Sequence, residues 1–138
     1  MISDRAPEPV GPYPHAKRVG NLLFLSGVGP RKRGSKVIPG ATLDAAGNLI
    51  QRDFAAQCLS VFENVRIIVD DAGARWDDIV DVTVFLTHLK EDWATYNRLY
   101  AEWFAGPNGP CPTRTTVEVT ALPTPISIEL KVIVELKN

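Results

Sequence analysis

The sequence predicts a two-layer α/β (α+β) sandwich, a mixed sheet with two helices on one face, in the order β-β-α-β-α-β-β. Two stretches, Asp53–Ala72 and Leu89–Phe104, carry apolar residues at three- and four-residue steps, as amphipathic helices require. Near the C-terminus, ISIELKVIVEL carries Ile126, Ile128, Leu130, Val132, Val134 and Leu136 in one unbroken row at every second position. Two such helices need one sheet face to cover, which leaves the other face for a different use.

The elements follow in order. Residues 1–14 are proline-rich and extended. Strands at His15–Val19 and Leu22–Ser26 are joined by Gly20-Asn21, a hairpin signal. A loop of about 25 residues comes next, punctuated by Gly34, Pro39, Gly40 and Gly47-Asn48; loops of that length carry function or wrap a neighbour. On the first helix Phe54, Cys58, Val61, Phe62, Val65, Ile68, Val69 and Ala72 form the stripe, and Gly73 is placed for a left-handed cap. A buried strand is expected at Ile79–Thr87. The second helix has Trp93, Tyr96, Tyr100, Trp103 and Phe104 on its heavy side, Gly106 stops it, and GPNGPCP leads into the strand PTRTTVEV. Counting by twos along that strand sets Arg114, Thr116 and Glu118 against Thr115, Val117 and Val119. After a proline-bearing turn at Ala121–Pro125, the last strand sets Ser127, Glu129, Lys131 and Glu135 against its aliphatic row.

This phasing leads to the expectation that Arg114, Glu118 and Glu129 share the sheet face turned away from the helices, with Ile79, Thr83 and Phe85 beside them. A face mixing charge with large apolar groups suits burial against other subunits, so an oligomer with polar cavities between protomers is expected.

A chain of 138 residues fits one domain, 1–138, large enough for a single core. Apolar content of 45% and charged content of 22% are those of a soluble globular protein. A net charge of −1 supplies no broad field for nucleic acid or an anionic membrane, and no basic stripe is interleaved with aromatics. Arg31-Lys32-Arg33 with Lys36 is a local exception, of the kind that usually forms a solvated loop. No run reaches the ~18–20 apolar residues of a membrane span, and the N-terminus lacks a leader pattern. Cys58 and Cys111 make neither CxxC nor zinc spacing, so a cytoplasmic, reducing setting is expected. Walker, GxGxxG and nucleophile-elbow motifs are missing from the sequence.

Arg114 is the leading candidate for chemistry. It reads either as a surface arginine paired with Glu118 or Glu129, or as a planar fork that grips a substrate carboxylate, with small threonines leaving space around it. Glu129 either solubilises an open sheet face or orders a water and moves protons. Tyr13 is held between Pro12 and Pro14, and Ser26-Gly27 ends a strand where a glycine lets a ligand approach backbone closely. Asn97 lies among aromatics and needs a hydrogen-bond partner there. His15 and His88 are far apart in the chain and read as structural.

Together, GPYPHAKRVGNLLFLSG, the helix ending in DDAG, YNRLYAEWF, PTRTTVEV and ISIEL resemble the Rid family of reactive-intermediate deaminases (YjgF-like proteins) over nearly the whole chain. The resemblance implies a chorismate-mutase-like fold, a homotrimer with sites at subunit interfaces, and cofactor-free hydrolysis of 2-imino or 2-enamino acids to 2-keto acids and ammonia. By motif, Arg114 matches the arginine that binds the substrate carboxylate and Glu129 the glutamate that positions water. Tyr13, Ser26, Gly27 and Asn97 match pocket-lining residues, and Thr116 stands where many members have a cysteine. Pro14-His15 and Val28 replace the usual Ser-Gln and glutamine, and the Arg31–Gly40 loop is atypical. PHAKR, SGVGPR, IPG and PTRTTV are similar to the 2-aminomuconate deaminase branch, whose substrate is a dicarboxylate; Arg31, Lys32 or Arg33 could meet the second carboxylate. Two further readings stand beside this one: a trimer that binds small carboxylates or a partner without turnover, and RNA processing, against which the charge argues.

Overall fold

The computed structural model describes residues 1–137; Asn138, the last residue of the expected domain, lies outside the described residues. The strands are β1 (Ala16–Val19), β2 (Leu22–Leu25), β3 (Ala41–Leu43), β4 (Leu49–Arg52), β5 (Ile79–Leu86), β6 (Thr113–Glu118) and β7 (Ile128–Glu135). The helices are α1 (Phe54–Asp71) and α2 (Leu89–Phe104). Five strands form the main sheet in the order β1-β2-β7-β5-β6. All its neighbours are antiparallel except β5 and β6, which run parallel because α2 carries the chain back between them. The expected two-layer sandwich is observed.

The helices form where the apolar stripes demanded them. Asp53 caps α1 by accepting the Ala56 N–H at 3.1 Å, and Gly73 takes φ 80° just beyond its end. Cys58, Val61, Phe62, Val65 and Val69 are fully buried on the inward face, against Leu25, Val82, Val84, Leu130, Val132 and Val134 of the sheet. Truncating a side chain such as Phe62 to alanine would cost about 3–5 kcal/mol. On α2, Tyr96, Leu99, Tyr100 and Phe104 complete the layer. No described helix is long and apolar enough to cross a membrane.

The expected 25-residue loop instead contains the hairpin β3–β4. Its strands are short and lack an apolar row, so alternation could not reveal them. Tertiary contacts hold it: Arg52 makes a two-pronged pair with the buried Asp92 of α2 at 2.6 and 3.0 Å. Fully buried Gln57 donates to the Gly40 carbonyl and accepts from the Ser127 N–H at 2.8 Å. Gly40 sits at φ 74° with the Asp53 carbonyl only 2.3 Å from where a Cβ would stand, so no other residue fits.

A second correction concerns Ile79. The β5–β7 register shifts between Ile79 and Asp81, which turns Ile79 into the core at 2% exposure and leaves Val80 outward. Thr83 and Phe85 do face away from the helices, as expected, together with Phe24, Lys131 and Ile133.

Candidate active site

Arg114 and Glu129 lie on opposite faces of the sheet, not on one. Arg114 pairs in register with Val82 and Thr116 with Val84, and both valines are fully buried under the helices. Glu129 pairs with Phe85 and points to the open face. β5 runs between them, and an offset of three positions along and two strands across corresponds to about 14 Å between their Cα atoms. The expected shared face fails because β6 is an edge strand. Its TRTTVE alternates polar with polar, so the row that turns inward is selected by α2 rather than by hydrophobicity. Thr116 is drawn in by a 2.6 Å hydrogen bond with the Tyr96 hydroxyl.

The chain therefore carries two separate constellations. In the first, at the outer edge under α2, the Arg114 guanidinium lies 4.7 Å from the ring centre of Tyr100, 5.0 Å from that of Tyr96 and 5.7 Å from that of Trp93. Its Nη1 donates to Asn97 Oδ1 at 2.9 Å. Trp93, Tyr96, Asn97 and Tyr100 follow helical spacing, a signal legible in the sequence, which brings all four to one face of α2. Among the described residues Arg114 makes no ion pair. Glu118, one of its two expected structural partners, instead accepts the Leu89 N–H at 2.9 Å, beside a helix N-terminus that favours a negative charge. The result is a half-buried cation, held flat by aromatics and one amide, with donors left over. Among the described residues the Tyr100 hydroxyl beside it is buried without a hydrogen-bond partner, and burial pushes its pKa up to about 12.

The second constellation lies on the open face. Tyr13, Gly27 and Glu129 line one cleft with Gly29, Arg31 and Ile126. Ser26 and His15 join Tyr13, Gly27 and Arg31 around an adjoining cleft. Ser26 Oγ donates to the Pro14 carbonyl at 2.8 Å and the Ser26 N–H to the His15 carbonyl at 3.0 Å, which hold the tyrosine segment beside the strand end. A Cβ on Gly27 would stand 2.8 Å from Glu129 Oε2, so only glycine lets the carboxylate lie across this backbone. Burial raises the Glu129 pKa above the ordinary glutamate value. His15 is structural, as expected. Its Nδ1 accepts the Ser3 N–H at 2.9 Å and its Nε2 bonds the Pro7 carbonyl at 2.8 Å, anchoring the N-terminal segment.

The family model described as endoribonuclease L-PSP matches residues 3–136. The chain belongs to this family, the YjgF/RutC/Rid family. Among Rid relatives, the 2-iminobutanoate/2-iminopropanoate deaminase of Escherichia coli is 34% identical over 133 residues, covering 96% of this chain and 94% of that protein. A RutC family protein of Pyrococcus abyssi is 35% identical, covering 96% and 93%. The crystal structure of the YjgF gene product from E. coli superposes with a TM-score of 0.82 at 33% identity, over 99% of this chain and 97% of that one. E. coli TdcF with bound serine gives 0.82 at 32% identity, over 99% of each chain. Rid membership thus rests on nearly the full length of the chain.

Proposed function

We propose that this Rid protein hydrolyses 2-imino and 2-enamino acids to 2-keto acids and ammonia at sites assembled between copies of the chain in a homotrimer. The observation that carries the reading is the unneutralised Arg114 fork in its aromatic cradle, together with a desolvated Glu129 in a separate cleft. Neither half is a complete site. Docking through the mixed apolar and polar open face would bring the Glu129 of one copy toward the Arg114 edge of another, and three such contacts close a ring.

In this reading Arg114 binds the substrate carboxylate, with Asn97 fixing the guanidinium plane and Thr116 bordering the edge. Tyr13, Ser26 and Gly27 line the opposite wall. Glu129 holds the water whose oxygen adds to the imine carbon, and takes its proton. That proton passes to the imine nitrogen to give the carbinolamine; the proton of its new hydroxyl then passes to nitrogen as well, the C=O bond forms while the C–N bond breaks with its electron pair going to nitrogen, and ammonia leaves the keto acid. Enamines enter the same path after tautomerisation. The residues supply positioning and proton transfer and need no cofactor. The names of the E. coli relatives, one a deaminase and one holding serine, support a small amino-acid-like carboxylate. The finer assignment is 2-aminomuconate, in keeping with the sequence departures from the commoner members. Two free cysteines accord with a cytoplasmic setting.

Ammonia release from freshly generated 2-iminopropionate and from 2-aminomuconate, for wild type and Arg114→Ala, tests the reading. Wild type accelerates at least one and the variant loses it; rates no faster than spontaneous hydrolysis on both refute catalysis. Equal wild-type rates on the two remove the case for 2-aminomuconate.

A further inference from the structure

We propose that Arg31 is a specificity-determining residue that binds a second, distal carboxylate, so that the site selects dicarboxylic imines and enamines. The inference rests on the deaminase reading for the reaction, but its own observation is the setting of Arg31. Of the three consecutive cations Arg31-Lys32-Arg33, the structure singles out this one. Arg33 is occupied, donating to the Ser3 and Ala6 carbonyls at 3.2 and 2.8 Å and pairing with the Glu8 carboxylate at 3.4 Å. Lys32 is exposed and lines neither cleft. Arg31 is half-buried and lines both clefts that flank Tyr13, including the one that holds Glu129.

Its backbone is fixed with unusual care. Buried Asn64 of α1 donates to both the Gly29 and Arg31 carbonyls at 2.9 and 2.6 Å, and buried Ser60 donates to the Pro30 carbonyl at 2.8 Å. Two core polar side chains thus pin Gly29-Pro30-Arg31 to the helix. The guanidinium itself makes one hydrogen bond, Nη2 to the Glu8 carbonyl at 2.6 Å, which orients it and leaves its other N–H groups unused. Among the described residues it has no carboxylate partner, because Glu8 turns its own toward Arg33. A preorganised, partly desolvated guanidinium with open donors is a carboxylate receptor. It stands on the Glu129 side of the site, away from the Arg114 half, so it meets the far end of a substrate whose 2-carboxylate is held by Arg114. A monocarboxylic imine has nothing to offer it.

The experiment measures kcat/KM of the full-length protein on 2-iminoglutarate and 2-aminomuconate against 2-iminopropionate, for wild type, Arg31→Gln and Arg31→Lys. The expected result is that Arg31→Gln lowers the dicarboxylate-to-monocarboxylate ratio about 10–100-fold, the size of one charge-assisted hydrogen bond, chiefly through KM. Arg31→Lys restores part of it. An unchanged ratio, including an equal loss on both classes as expected if Arg31 only straps Glu8, overturns the proposal. Should wild type turn over neither class, the deaminase reading has failed by itself. Calorimetric binding of 2-oxoglutarate and pyruvate then decides: tighter 2-oxoglutarate binding that vanishes in Arg31→Gln sustains the Arg31 assignment, and indifference to the substitution ends it.

Discussion

Arg114 and Glu129 stand back to back across one sheet, with β5 between their strands and the two side chains leaving by opposite faces. Any chemistry that joins them needs two copies of the chain, which makes complementation decisive. Arg114→Ala and Glu129→Gln should each be inactive alone. Unfolded together and refolded as mixed oligomers of the proposed trimer, they should recover about a quarter of wild-type activity, since each site then draws an intact arginine and an intact glutamate about one time in four. No recovery from well-mixed oligomers would place the working site within a single chain.

In the proposed mechanism, Glu129→Gln removes the group that takes the proton from water. We expect kcat to fall about 10²–10⁴-fold with KM for the carboxylate substrate changed less than threefold or so. A matching rise in KM would point to a role in binding.

The raised pKa of Glu129 has two consequences of opposite sign. If Glu129 takes the proton as proposed, the carboxylate must be ionised, so kcat should rise with pH through a midpoint above the ordinary glutamate value. Stability runs the other way. Because the folded pKa exceeds the unfolded one, the associated stabilisation is present below the unfolded pKa and is lost as pH rises through the folded one. Thermal melts of wild type and Glu129→Gln across pH 4–8, on the order of that window, should show the variant gaining relative stability toward the alkaline end. Parallel curves would mean that Glu129 is solvated in the assembled protein.

Gly27→Ala probes the contact with Glu129. Gly27 does not have a left-handed backbone, and the atom that an added methyl meets is the far end of a flexible side chain. Stability should therefore change by about 1 kcal/mol or less. The displaced carboxylate should nevertheless lower kcat by about tenfold or more. Urea melts and initial rates on the same preparation check both halves; a large stability loss would show a structural role for the glycine.

His15→Ala deletes both hydrogen bonds that tie Ser3 and Pro7 to the start of β1. A loss of about 1–3 kcal/mol is expected from the stranded backbone groups, read as a lower urea midpoint. Tyr13 lies two residues away, so KM should rise as well. An unchanged midpoint would show that the N-terminal segment holds without the imidazole.

How much was legible varied with how strongly each segment's residues distinguish inside from outside. The α1 stripe and the β7 row place most large apolar groups on one side, Leu59 and Ile133 being the exceptions, and their predicted phase is the observed one. Cys58 and Leu130 lie in the core for that reason. In β5 the alternation was readable, but the register shift at Ile79 was not, because a bulge leaves no compositional mark when both neighbours are aliphatic. The β3–β4 hairpin is held by Arg52 on Asp92 and by Gln57 across two loops, contacts between residues far apart in the chain.

From the sequence alone came the helices, the aliphatic face of the sheet, the family resemblance and the nomination of Arg114, Glu129, Tyr13, Ser26, Gly27, Asn97 and Thr116 as candidates, because those rest on local periodicity and on motifs. Tertiary structure decided which way β6 faces, and so which residues can share a site. Its alternating polar residues fit either orientation equally well. Only the docking of α2, through Tyr96 to Thr116 and Asn97 to Arg114, chooses between them, and no stretch of ten residues contains that contact.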